Sequence, residues 1–195
     1  MAKENATNFT IEGRMSEMAD IQRNWMWNLL IPGIKSVAPQ ASAETEDLIV
    51  RCRSFSIPPR SNTPTESDFM GMKQYFPGKP TVGGTIQATF EETEDMKIAQ
   101  IFYEWQQRIF NISPKPDISA GKSLGDKKRT LAKDIILAMY SYDGKELPKK
   151  IKFTNAWVQA VDAVTLDYST GAAVQYTVTF QFDFWTLFPD TVFGA

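Results

Sequence analysis

The stretch AVQYTVTFQFDF, residues 173–184, decides how the rest of the chain is read. Val174, Tyr176, Val178, Phe180, Phe182 and Phe184 fall on one side of an extended backbone. Ala173, Gln175, Thr177, Thr179, Gln181 and Asp183 fall on the other. Side chains alternate across a strand with period two. The spacing therefore predicts a strand with an aromatic, branched face in a core and a polar face turned away from it. Residues 85–91 (TIQATFE) repeat the pattern: Ile86, Ala88 and Phe90 on one side, and Thr85, Gln87, Thr89 and Glu91 on the other.

Period 3.6 takes over immediately afterwards. Ile98, Ile101, Phe102, Trp105 and Ile109 stand at i, i+3, i+4, i+7 and i+11 and make one apolar stripe. A helix is predicted over about 94–111, with Thr93 as N-cap and Glu94 and Asp95 in the first turn, where the helix dipole favours negative charge. Ser113-Pro114 ends it. Further strands are predicted at Asn24–Ile31, Leu48–Ile57 (stopped by Pro58-Pro59), Asp134–Tyr142, Ile151–Ala160 and Ala163–Tyr168, with turns at Asp143-Gly144 and Ser169–Gly171. Lys35–Asp47 reads as a loop. The expectation is a mainly β chain, an antiparallel β-sandwich or barrel with one flanking helix.

The organisation follows: an N-terminal arm over 1–23, one domain over 24–185 and a C-terminal tail over 186–195. Two long connections interrupt the domain, 58–84 and 113–133. The first is punctuated by proline and glycine, and Met70–Phe76 within it has the composition of a short strand. A connection this long in a compact domain is usually functional or docked on a partner. Its residues Pro64, Phe69, Met70, Met72, Tyr75 and Phe76 are the candidates for reaching a neighbouring subunit.

Composition excludes more chemistry than it suggests. The 195 residues carry a net charge of −2, with 43% hydrophobic and 12% aromatic residues, so the chain has material for a core and advertises no basic field for nucleic acid. There is no histidine, which removes the Ser-His-Asp triad and the commonest metal ligand. Cys52 is the single cysteine, so neither an internal disulfide nor a structural zinc site is available. Gly121-Lys122-Ser123 resembles the end of a phosphate-binding loop, but Pro116 stands where the loop needs its first glycine. Glu91, Glu92, Glu94 and Asp95 read as helix-terminus carboxylates, Lys127-Lys128-Arg129 as a solvated loop, and Cys52 as a buried inert thiol. The polar opening Met1–Asn8 carries no secretion signal, and there is no apolar run of ~18 residues. No catalytic residue, metal or cofactor is expected, no membrane anchor either, and synthesis is expected in the cytoplasm.

Three blocks carry a family resemblance. LIVRCRSFSIPP (48–59) resembles the opening hairpin of tail tube proteins of contractile-tailed bacteriophages. KQYFPGKPTVGGTIQATFEETEDMKIAQIFYEWQQRIF (73–110) resembles the block in which a glycine-marked loop leads through a strand and acidic residues into a helix with a tryptophan, here Trp105. NAWVQAVDAVTLDYSTGAAVQYTVTFQFDFW (155–185) resembles the closing strands, ending on Phe184-Trp185. The likeness implies subunits whose inner strands join across a hexameric ring into one barrel, rings that stack into a tube, a contracting sheath around it, baseplate and terminator proteins at its ends, and DNA passing without specific binding. The virion tail would then be its location. The arm, the longer 113–133 loop and the tail depart from the family pattern. They keep open a tube-like baseplate or tail-tip adaptor and the tube of a phage-like injection device. A monomeric ligand-binding β-barrel is the more distant reading.

The polar faces acquire a role under that resemblance. Basic groups bind phosphates through counterion release, so a channel lined with Lys and Arg would hold its cargo. Thr85, Gln87, Thr89, Glu91, Gln175, Thr177, Thr179, Gln181 and Asp183 contain no cation and are the candidates for facing a lumen.

Overall fold

The computed structural model describes residues 26–39, 41, 45–80, 83–109, 123–141, 144–164, 166, 169 and 171–189. The N-terminal arm, the tail beyond 189 and loop residues 110–122 lie outside them. The elements run β1 (Trp27–Leu30), α1 (Ile34–Val37), α2 (Thr45–Arg51), β2 (Cys52–Phe55), β3 (Thr65–Phe69), β4 (Met72–Phe76), β5 (Gly84–Glu91), α3 (Lys97–Ile109), α4 (Leu124–Leu131), β6 (Lys133–Tyr140), β7 (Glu146–Val161), β8 (Gln175–Phe182) and β9 (Phe184–Pro189). The chain is mainly β, built on an open, curled antiparallel sheet that forms half a barrel.

The curl comes from one long strand. The first half of β7 pairs with β6 on one side and β9 on the other, and its second half pairs with β8. Strand order is β1-β6-β7-β8-β5-β2, so β7 belongs to both halves of the sheet. Register slips on both sides of its middle, and Asn155 there takes φ 55°, a left-handed conformation that asparagine tolerates better than most residues.

β8 and β9 turn the same corner opposite. The alternation runs unbroken through 173–184 in the sequence, but the strand breaks at Asp183, whose amide donates to the Thr154 carbonyl at 3.1 Å. The phase resets there. Phe184, expected on the core face, is 43% exposed, and Trp185 packs on Phe153 with ring centroids 6.4 Å apart. Thr186–Pro189, assigned to a tail, completes β9.

The core lies between the sheet and α3. Ile98, Ile101, Phe102 and Trp105 are wholly buried, and Ile109 is partly buried against the same cluster. Phe102 lies between Phe90 of β5 (4.8 Å) and Phe180 of β8 (5.8 Å), and Trp105 meets Phe180 at 5.9 Å. Burying four such side chains is worth roughly 1.5–3 kcal/mol each. The stripe therefore clamps β5 and β8 side by side and leaves their other faces free.

Several elements differ from expectation, each for a physical reason. The Lys35–Asp47 segment was expected to be loop but contains α1 and the start of α2. Leu48–Arg51, expected to be strand, is helical: Leu48 is buried, Val50 is 67% exposed, and Asp47 pairs with Lys97 of α3 at 2.6 Å. Acidic residues in the first turn favour the helix where an apolar run alone cannot choose. Only Cys52–Phe55 is strand. Within 113–133, Ser123 caps α4 by accepting the Asp126 amide at 3.2 Å, and Leu131 is buried. Ala163, Val164 and Leu166 belong to no strand. The anion at the α3 N-terminus is Glu92, whose carboxylate accepts the Ile98 and Ala99 amides at 2.9 and 2.8 Å, while Thr93 accepts the Lys97 amide. Glu94 and Asp95 are exposed in the turn before the helix.

Candidate channel face and inter-subunit hairpin

β5 and β8 are hydrogen-bonded neighbours, and their register joins the two polar faces into one. Thr85 stands opposite Gln181, Gln87 opposite Thr179, Thr89 opposite Thr177, and Glu91 opposite Gln175. All eight are exposed or half-buried, while Ile86, Ala88, Phe90, Tyr176, Val178, Phe180 and Phe182 on the reverse are buried. At ~3.4 Å per residue the four rungs span about 20 Å. The middle is held by the Thr89 and Thr177 hydroxyls, 3.3 Å apart. Among these eight residues the only formal charge is on Glu91.

The ninth candidate leaves the ladder. Asp183 sits at the β8–β9 corner, accepting from Lys128 Nζ at 2.6 Å and Asn155 Nδ2 at 2.9 Å. The Lys128 hydrogen bond, supported by Asn155 and opposed by partial burial, holds its carboxyl below the usual carboxylate range. Gly83 lies against the same corner at φ +81°, and a Cβ there would stand 2.7 Å from the Asp183 carbonyl oxygen.

Sequence reading missed Arg53. The β2–β5 register skips between Cys52↔Phe90 and Ser54↔Thr89, which leaves Arg53 as the extra residue of a bulge. Cys52 packs toward the core, and the Arg53 guanidinium reaches across to the Glu91 carboxylate. The signal was available in Arg-Cys-Arg-Ser, whose polar residues do not keep period two. Cys52, between two arginines, is not activated: burial pushes its thiol up to about 12, partly offset by the Ser54 backbone.

Two strand edges flank the ladder. Among the described residues β2 ends the sheet on one side. On the other, β7 pairs with β6 only as far as Ala156, so Trp157–Val161 has β8 as its single strand partner among the described residues.

The other candidate residues come together in the β3–β4 hairpin. Its turn is Met70-Gly71, with φ 50° and 77°, the two positive values of a tight hairpin loop that matches strand twist. Phe69, Met70, Met72, Tyr75 and Phe76 are 50–89% exposed, and Pro64 just before β3 is exposed too. A bridge between Asn62 and Pro80 closes the hairpin's base. Gly78 is required there, since a Cβ would lie 2.0 Å from the Thr63 carbonyl oxygen. Exposed apolar surface concentrated in one patch is a general feature of interaction sites. Among the described residues no group of carboxylates or thiols is placed to hold a metal, and no helix is long and apolar enough to cross a membrane.

A family model described as phage tail tube protein matches residues 21–187. The chain belongs to the phage tail tube protein family. As a tail tube protein it is a structural component and not an enzyme. No curated protein matches the sequence. Among solved structures, the chain is similar to one from the sheath–tube complex of an extracellular contractile injection system, PVC, in its extended state. They share 14% identity over 92% of this chain and 99% of that one, with a TM-score of 0.57. A chain of the anti-feeding prophage tube-terminating cap matches at TM-score 0.60 and 14% identity, over 88% and 93% of the two chains. One from the PVC sheath/tube terminator matches at 0.58 and 15%, over 88% and 99%. At such identities the likeness is one of fold.

Proposed function

We propose that the chain closes into hexameric rings that stack into the inner tube of a contractile tail, with the polar ladder lining the lumen through which DNA passes. The observation that carries this reading is a cation-free polar ladder placed between two open strand edges. In the half-sheet β7–β8–β5–β2 each neighbour is antiparallel. Four strands is an even number, so β2 of one copy set beside the second half of β7 of the next is antiparallel again, and the repeat continues without a mismatch. Closure removes both edges at once. Backbone hydrogen bonds then cross every ring interface and give the wall its stiffness.

The helix and core occupy the reverse of this half-sheet, which leaves the ladder as the face to turn toward an axis. The exposed hairpin suits contact with a neighbouring copy in the same ring or the next, a head-to-tail contact that propagates. A sheath around the tube, and baseplate and terminator proteins at its ends, are the partners this placement implies. The site of action is the virion tail after synthesis in the host cytoplasm.

Replacing Gln175 and Thr179 with Lys tests the reading. Tubes should still assemble, while DNA delivery slows or stops, most strongly at low salt where phosphate attraction is least screened. Normal delivery by the Lys variants would sink it. The structural likeness to injection-system tube and cap proteins favours a second reading, a tube or tube-end component of a protein-injecting particle. Copy number per particle and the identity of the cargo separate the two.

A further inference from the structure

We propose that Glu91 acts as a charge cover for Arg53, holding a cation that would otherwise face the channel. The inference rests on the lumen reading above. The bulge in β2 sets Arg53 beside the ladder between the levels of Thr89 and Phe90, and its guanidinium reaches the last rung at Glu91. Cys52 pairs with Phe90 and turns toward the core, and Ser54 pairs with Thr89 on the ladder side. The guanidinium sits with Nε and a terminal nitrogen both on one Glu91 carboxylate oxygen. The Arg53 side chain is 53% exposed and that of Glu91 21%, so the acid is the more enclosed partner and the cation the one at the surface.

A half-exposed ion pair of this kind contributes little to stability. Its effect on the potential of the face is larger in consequence, because a ring repeats it in every copy and a stack of rings repeats it along the tube. With Glu91 ionised, the rim of the ladder is neutral. Without it, each copy presents a guanidinium suited to bidentate contact with phosphate. The ladder therefore stays slippery because the cation at its edge is paired and because it carries none of its own.

The test uses tubes of the full chain and four versions of the pair: the parent, Glu91→Gln, Arg53→Gln, and both changes together. Assembly is read by electron microscopy, and binding of a short DNA duplex by co-sedimentation across salt. Glu91→Gln tubes should capture duplex that parent tubes leave free, with affinity falling about a thousandfold between 50 and 200 mM salt as several phosphates are engaged. The double variant and Arg53→Gln should behave like the parent. Glu91→Gln tubes that bind no more than the parent, or a double variant that still binds, overturn the proposal. If Glu91→Gln alone prevents assembly and the double variant restores it, the uncovered guanidinium is again the cause and the proposal stands. If Arg53→Gln prevents assembly, or the double variant does not restore it, the pair is a structural rivet and the proposal fails. Gln87→Cys labelled with a bulky maleimide on assembled tubes reads the lumen assignment separately. Label on the outer wall refutes that assignment whatever the DNA result.

Discussion

Trp105→Ala removes the largest side chain in the core, and the structure sets the size of the effect. Trp105 is fully buried, meets the Phe180 ring at 5.9 Å, and donates from Nε1 to the Leu131 carbonyl at 2.9 Å. Truncating a buried tryptophan to alanine costs roughly 3–5 kcal/mol. The orphaned Leu131 carbonyl lies within that range, since leaving a buried acceptor unpaired costs about 1–3 kcal/mol. A chain of this length loses about 2–4 °C of melting temperature per kcal/mol, so a fall of about 10 °C is expected. Trp105→Phe divides the effect: it keeps most of the ring contact and loses the hydrogen bond, and should cost about 1–3 kcal/mol. Thermal unfolding of the unassembled subunit, followed by far-UV circular dichroism, measures both variants free of assembly. A Trp105→Ala subunit melting within about 2 °C of the parent would refute the placement of α3 on the sheet.

Other variants probe the remaining surfaces. Changing Phe69, Tyr75 and Phe76 together to Ser should leave subunit melting nearly unchanged, because exposed positions usually shift stability by less than about 0.5 kcal/mol each. It should also abolish long tubes in negative stain; tubes of normal length would remove the hairpin from the assembly contact. Cys52, its thiol raised to about 12 by burial, should react with maleimide in the folded subunit on the order of a thousandfold more slowly than in denaturant near neutral pH, from its smaller thiolate fraction. Equal rates would show that the thiol is not buried. Asp183, held low by Lys128, contributes stability that is present above its unfolded value of about 3.9 and is lost as pH falls through its lower folded value. Asp183→Asn should accordingly be less stable than the parent at pH 7, with the gap closing in acid; a gap independent of pH would place its cause elsewhere.

The parts of the fold legible in the sequence were those governed by one unbroken period. The Ile98–Ile109 stripe and the alternation of 85–91 and 175–182 each follow from local geometry, and the structure buries the apolar side of each. What escaped were places where the chain changes partner without changing pattern. Alternation passes through Asp183 because both flanking strands are half-buried, yet β8 faces β5 while β9 pairs with the first half of β7. The first part of β7, Glu146–Lys150, was hidden by its composition: ELPKK carries a proline and three charges and shows no alternating apolar face. Leu48–Arg51 is too short for its apolar residues to separate helix from strand. The joining of the two polar faces into one ladder is a matter of long-range register, and neither segment encodes it alone. For Arg53 the broken alternation of Arg-Cys-Arg-Ser marked an irregular strand, while the partner toward which the bulge turns it is a matter of register.

The most direct test of the central claim is a cryo-electron microscopy reconstruction of the purified, assembled protein. The account predicts sixfold rings stacked into a tube, a continuous antiparallel wall in which β2 of one copy pairs with residues 157–161 of the next, and Gln87 and Thr179 pointing at the axis. A chain that stays monomeric at high concentration, or a tube whose outer wall carries Gln87 and Thr179, would contradict it.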